Sequence, residues 1–276
     1  MTATTSTRAH APVLEVFASI QGEGRFVGEP QVFLRLWGCP LRCRWCDTPG
    51  SWSLPAAPRT RIASVKGPRR EAGWASPFQA ATWIAEVEPG RARTISVTGG
   101  EPLLWPAFLK ELRRYVGARR IHLETAGAHP QALEQVLDAV DHVSLDLKLP
   151  ADLDPPEGAC EASVPAQAEM WTSEPAPADP VQWALVRSRV LELVRGRDAC
   201  GKLIVAGGRR ASEFRALLDD VAAIAPELPL YLQPVTPMHG VAAPEPGVLF
   251  ELVELALERS LAVRVVPQVH RALGVP

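Results

Sequence analysis

The chain has 276 residues, is 47% hydrophobic and carries a net charge of −2 at pH 7, enough length for one α/β domain with a sizeable core. That balance gives no broad basic surface of the kind that nucleic acid or an anionic membrane would recruit, so the expected partner is a small metabolite. No apolar run approaches the ~20 residues of a membrane span, and the polar start from Met1 to Ala11 lacks a signal-peptide core, which predicts a cytoplasmic protein. Five cysteines, three of them between positions 39 and 46, argue for reduced thiols rather than a disulfide framework.

In chain order, β-branched apolar runs predict strands near 12–18, 31–37, 94–98, 120–124, 142–148, 201–206 and 229–233, with a last apolar strand at 261–266. Between them, amphipathic segments predict helices near 78–88, 106–117, 130–139, 181–195, 211–224 and 246–259. Six βα units imply a parallel sheet with right-handed crossovers, curled into a partial (β/α)6 barrel with helices outside, all within one domain spanning 1–276. Two stretches interrupt the pattern. Residues 49–76 carry several prolines and the basic group Lys66, Arg69 and Arg70, and read as a lid or mobile loop. Residues 150–180, rich in Pro, Ala and Glu, read as a lid or a linker. Neither insert is expected to touch a motif, and the isolated Cys160 and Cys200 read as structural or incidental.

Immediately after the first barrel strand, Cys39, Cys43 and Cys46 form a C-x3-C-x2-C run on a loop at the strand's C-terminal edge. Three thiolates there can hold three irons of a cubane and leave the fourth iron open. A tetrahedral structural zinc would need a fourth Cys or His, and none is close in sequence. With Trp45 before the third cysteine, the run resembles the radical S-adenosylmethionine superfamily. The resemblance implies a [4Fe–4S] cluster on Cys39, Cys43 and Cys46, whose open iron chelates S-adenosyl-L-methionine. Reduction then cleaves the cofactor to methionine and a 5′-deoxyadenosyl radical. Thr98-Gly99-Gly100-Glu101-Pro102 resembles that superfamily's GGE motif, which implies that Gly99, Gly100 and Glu101 hold the methionine amino group. Glycines there also let backbone approach a ligand.

Further polar residues fall where parallel barrels build active sites: Glu124 and Thr125, Ser144, Asp146 and Lys148, Lys202, and Gln233 with Pro234. Ser144, Lys148, Gln233 and Pro234 are expected to face the cofactor together with Trp45 and Asp47. Asp146 and Lys148 remain alternatives for one contact, and Lys202, at a predicted strand start, is divided between a site role and a surface ion pair.

Ser19-Ile20-Gln21-Gly22-Glu23-Gly24, then Arg35 on the strand leading to Cys39, then Cys46-Asp47-Thr48, and the ending Pro267-Gln268-Val269-His270-Arg271-Ala272-Leu273-Gly274-Val275-Pro276 resemble the 7-carboxy-7-deazaguanine synthase family. That family converts 6-carboxy-5,6,7,8-tetrahydropterin to 7-carboxy-7-deazaguanine and ammonia, on the route to queuosine, with Mg²⁺. By position, Ile20, Gln21, Gly22 and Glu23 would read the pterin edge, and Arg35 would pair with its carboxylate. Thr48 would give a hydroxyl oxygen to Mg²⁺, Thr98 would touch substrate, and His270 and the Pro276 carboxylate would close the pocket. Arg35 and Thr48 are thus the catalytic candidates. The resemblance also implies a homodimer and a reductant such as flavodoxin or ferredoxin. A radical activase of a partner protein, or a metal-binding scaffold without activity, are the competing readings; the first lacks the Gln-Gly-Glu-Gly start and the His-and-Pro ending.

Overall fold

The computed structural model describes residues 9–88, 90–158, 172 and 174–276; Cys160 and the middle of the second insert lie outside them. The described chain opens with β1 (Ala11–Ile20), which runs antiparallel to β2 (Pro30–Leu36). The cysteine loop follows, its centre forming the two-residue β3 (Arg42–Cys43), and then a hairpin of β4 (Arg59–Ser64) and β5 (Gly67–Ala72) and the short β6 (Trp74–Ala75). From there helices and strands alternate: α1 (Pro77–Val87), β7 (Thr94–Gly99), α2 (Pro106–Val116), β8 (Ile121–Thr125), α3 (Pro130–Val136) and β9 (His142–Asp146). They continue through β10 (Leu153–Asp154), α4 (Pro180–Val194), β11 (Ala199–Val205), α5 (Arg215–Ile224), β12 (Leu230–Pro234), α6 (Pro246–Leu257), β13 (Val263–Val265) and α7 (Val269–Leu273).

The strand order is β13-β12-β11-β9-β8-β7-β2-β1-β4-β5, and every neighbouring pair from β2 to β13 is parallel. This is the expected α/β partial barrel. Its curl is visible in one contact: Lys202 on β11 reaches Glu23, just beyond β1, at 2.8 Å. Five strand spacings separate β11 from β1, about 24 Å in a flat sheet, so only a strongly curled sheet brings them together.

The prolines that crowd the sequence punctuate helices. Pro77, Pro106, Pro130, Pro180 and Pro246 each occupy a first helical turn, where the missing N–H has no partner to lose. Ser76 and Asp179 cap two of these starts by accepting from backbone N–H groups of Gln79, and of Val181 and Gln182.

Strand alternation sorts the two faces. Val32, Leu34 and Leu36 of β2 pack outward with Trp83, Ile84 and Phe108 in the main core. The inward face carries Gln31, Ser96, His122, Ser144 and Cys200, a buried layer in which all but Ser96, bonded to Glu124, are linked to one another. His122 Nδ1 lies 3.3 Å from Gln31 and its Nε2 2.7 Å from Ser144, whose hydroxyl lies 3.3 Å from the Cys200 sulfur. Burial keeps His122 neutral by holding its pKa well below the ordinary value, with His142 adding to the effect.

Both inserts correct the sequence reading. Residues 49–76 are not a lid: β4 lies parallel to β1, with Val16 opposite Ile62, and Ile62 is fully buried beneath the helices. Residues 150–158 do touch a motif, because β10 pairs with β3 inside the cysteine loop.

Candidate active site

A cleft opens at the C-terminal ends of the barrel strands, lined by Cys39, Cys43 and Cys46 on one side and by Ile20, Gln21, Gly22, Glu23, His270 and Pro276 on the other. The cysteine loop is tied at its base, since Gly38 N–H donates to Ser51 and Cys39 N–H to Trp52. None of the three cysteines is in a disulfide. Burial pushes the Cys43 thiol up to about 11, opposed by nearby Lys148, and raises Cys39 further and Cys46 as well, chiefly by burial. Three neighbouring thiolates would repel one another, and a bound cation favours the ionised form of all three. Among the described residues no fourth cysteine lines the cleft, and its histidine, His270, groups with Glu23 and Asp47 rather than with the sulfurs, which fits a cluster with one open iron and not a closed zinc site.

Gly99 and Gly100 are required by backbone contact. A Cβ on Gly99 would sit 2.3 Å from the Leu36 backbone, and one on Gly100 2.0 Å from the Gly38 carbonyl. Glu101 N–H donates to that same carbonyl at 2.7 Å. The motif therefore clamps the start of the cysteine loop. Its carboxylate does not reach the cleft: it is fully buried and accepts from Leu103 N–H, Thr125 hydroxyl and Ala126 N–H, joining the ends of β7 and β8. Burial raises its pKa, with those three bonds opposing.

Opposite the loop, Lys202 bridges two carboxylates, Glu23 at 2.8 Å and Asp146 at 2.9 Å, while Lys148 binds Asp146 at 2.8 Å. Burial alone would push the Asp146 carboxyl up, but the two ammonium groups outweigh it and hold it down at about 2. Lys148 also lies 4.3 Å from the Trp45 ring centroid, a cation–π contact that places a charge beside the cluster loop. Gln268 donates to the second Glu23 oxygen at 2.7 Å. Asp146 and Lys148 thus both line the cleft, and neither alternative is set aside by geometry.

On the far wall Gln21 donates to Glu124 at 2.7 Å, and Ser96 donates to the same carboxylate oxygen at 2.6 Å. Phe17 and Phe33 stack with centroids 5.0 Å apart, and Arg35 lies over Phe17. Glu15 accepts from Arg35 Nε at 2.9 Å, fixing the guanidinium plane against the cleft. At the mouth, Thr48 donates to Asp47 at 3.2 Å, and ligand atoms of Glu23, Asp47 and His270 lie within 4.8 Å of one another. This oxygen-rich group suits a hard cation such as Mg²⁺.

The Radical SAM superfamily pattern matches residues 37–154, the cysteine loop through β10. Across almost the whole chain, similarity extends to two proteins named 7-carboxy-7-deazaguanine synthase. One, from Geobacter sulfurreducens, is 32% identical over 96% of this chain and 97% of its own length. The other, from Methanothermobacter thermautotrophicus, is also 32% identical, with the same coverage. The chain belongs to the 7-carboxy-7-deazaguanine synthase family. The crystal structure of QueE from Escherichia coli shares its fold, with a TM-score of 0.50 at 22% identity over 93% of each chain.

As a member of the 7-carboxy-7-deazaguanine synthase family, the protein is a radical SAM enzyme with a [4Fe–4S] cluster and S-adenosyl-L-methionine as cofactors. Most residues expected from sequence line one cleft: Ile20, Gln21, Gly22, Glu23, Arg35, Trp45, Asp47, Thr48, Thr98, Gly99, Gly100, Asp146, Lys148, Gln233, His270 and Pro276. Three do not. Besides Glu101, Ser144 lies in the polar layer one step deeper than Asp146, and Pro234 is not among the lining residues. Lys202, divided between two readings, is 3% exposed and mid-strand, which removes the surface ion pair. Glu124 received no specific role from sequence, and Gln268, Phe17 and Phe33 were missed; the inward alternation Gln31, Phe33, Arg35 along β2 was the signal for one of them.

Proposed function

We propose that this protein converts 6-carboxy-5,6,7,8-tetrahydropterin to 7-carboxy-7-deazaguanine with loss of ammonia, on the route to queuosine and related deazapurines. The observation that carries the reading is the shared cleft: the three cysteines share it with Gln21, Glu124 and Arg35 and with His270 and Pro276. The cluster with S-adenosyl-L-methionine supplies the hydrogen-abstracting radical, and this chain's residues bind and orient. Gln21 and the carboxylate of Glu124 are suited to the amino and ring N–H edge of a pterin, and Arg35 to its carboxylate. Thr48 and Asp47 at the cleft mouth are suited to hold Mg²⁺ beside that carboxylate. Phe17 and Phe33 exclude water from the wall. Holding substrate and cofactor in one orientation is the main contribution, since alignment of the reacting atoms removes much of the barrier. Anaerobic turnover of the reconstituted protein tests it: the deazapurine and 5′-deoxyadenosine form together, whereas cofactor cleavage only with a protein partner overturns it.

The same reading carries a homodimer, a reductant such as flavodoxin or ferredoxin, and a cytoplasmic location. No described helix is long and apolar enough to cross a membrane.

The segment from Gln268 to Pro276 is part of the site in this reading. Val269 N–H donates to the Gly22 carbonyl at 3.0 Å and Ser19 hydroxyl to a Pro276 oxygen at 2.6 Å. A Cβ on Gly22 would stand 1.8 Å from His270 Nδ1, so the loop after β1 and the segment around His270 close on one another. Replacing His270 by Ala is expected to cut turnover at least tenfold, with cluster content unchanged. Equal activity of the variant and wild type removes His270 from the site.

A further inference from the structure

We propose that residues 150–158 form a clasp on the cysteine loop, and that Arg42 with its partner Glu157 sets the charge beside the cluster and hence its reduction potential. This rests on the family assignment of Cys39, Cys43 and Cys46 as cluster ligands. Cys43 lies in a two-residue strand whose strand partner comes from outside its own loop. β10 holds it: Leu153 is registered with Cys43 and Asp154 with Arg42. Arg44 N–H donates to the Asp152 carbonyl at 3.1 Å, and Glu157 N–H to the Pro40 carbonyl at 3.0 Å. The clasp is itself anchored, since Arg209 donates to the Asp152 carboxylate at 2.7 Å and to the Ala151 carbonyl at 2.6 Å.

Arg42 is the charged centre of this arrangement. Its side chain is 9% exposed and pairs with Glu157 at 3.0 Å, a residue 70% exposed. The same guanidinium donates to the carbonyls of Cys39 at 2.8 Å and Leu41 at 3.1 Å, and lies 5.1 Å from the Trp52 ring centroid. A fixed, nearly dry cation adjoins a ligand of a centre that gains negative charge on reduction. Net charge, hydrogen bonding and exposure are the protein's levers on such potentials, and a buried charge is weakly screened. Arg42 therefore favours the reduced cluster, and Glu157 partly offsets it from the solvent side.

The two charges must act in opposite directions, which a purely mechanical brace would not produce. The test is an electron paramagnetic resonance redox titration of the full, reconstituted chain, with iron and sulfide content as a parallel readout. Arg42→Met is expected to shift the potential downward and to hasten iron loss to a chelator several-fold. Glu157→Gln is expected to shift it upward by a smaller amount, and Arg42→Lys to restore most of the potential but not the iron retention. If Arg42→Met takes up no cluster, the Glu157→Gln and Arg42→Lys titrations decide alone. Unchanged potentials, or shifts of one sign in both charge variants, overturn the proposal. A wild-type chain that takes up no [4Fe–4S] cluster instead overturns the family-based cofactor assignment, a separate result.

Discussion

Replacing Cys43 by Ala is expected to abolish the visible absorbance of the reconstituted protein and reductive cleavage of S-adenosyl-L-methionine together, with turnover below detection. Two thiolates cannot hold three irons of a cubane, and no other described cysteine lines the cleft to substitute. The loss should not be a folding defect. Cys43 packs in a small cluster with Cys39, Leu41, Ala128 and Trp183, apart from the main core, and deleting one sulfur there costs on the order of 1 kcal/mol. Far-ultraviolet circular dichroism and the melting temperature of the apoprotein should therefore stay near wild type. Retained cluster absorbance, or retained cofactor cleavage, would count against the ligand assignment.

Lys202→Met is expected to give the largest loss of stability among the site variants. The lysine is buried between Glu23 and Asp146, and removing it leaves two buried carboxylates that share only Lys148 and Gln268. Breaking a buried pair from one side costs roughly 3–5 kcal/mol, about 10 °C in melting temperature for a chain of this size. The pH dependence carries the sign. With a folded pKa of about 2, the wild-type Asp146 contributes stability that is full above the unfolded value near 3.9 and is lost as pH falls through about 2. Without Lys202 the folded pKa of Asp146 rises, so that contribution shrinks and disappears at higher pH. Melting curves from pH 3 to 7 check this, and adding Asp146→Asn should recover part of the loss. A variant melting within a degree of wild type at every pH would show that the triad does not support the site.

The βα alternation was legible because the core strands are short apolar runs and five of the seven described helices open on a proline. The cysteine run, the two glycines and the family-like ends were legible because chemistry and close backbone approach restrict residue type there. Other features were hidden for physical reasons. The β4–β5 hairpin does alternate, with Thr60 and Ile62 buried between exposed Arg59 and Arg61, but Pro55, Pro58 and Pro68 around it read as loop. Proline is tolerated at 68 because β5 is an edge strand. Every residue of β11 is buried, so no alternation marked Lys202 as facing the cleft. The pairing of β10 with β3 joins residues more than a hundred positions apart, which no local pattern records. Glu101 looked like a ligand-binding carboxylate, whereas its oxygens are consumed by Leu103, Thr125 and Ala126.

The most direct test of the proposed reaction uses 6-carboxytetrahydropterin deuterated at the carbon bearing the carboxylate, with reconstituted protein, reductant and S-adenosyl-L-methionine under anaerobic conditions. The account predicts deuterium in 5′-deoxyadenosine by mass spectrometry, in step with 7-carboxy-7-deazaguanine and ammonia. Deoxyadenosine without deuterium and without the deazapurine, from protein carrying a full cluster, would contradict it.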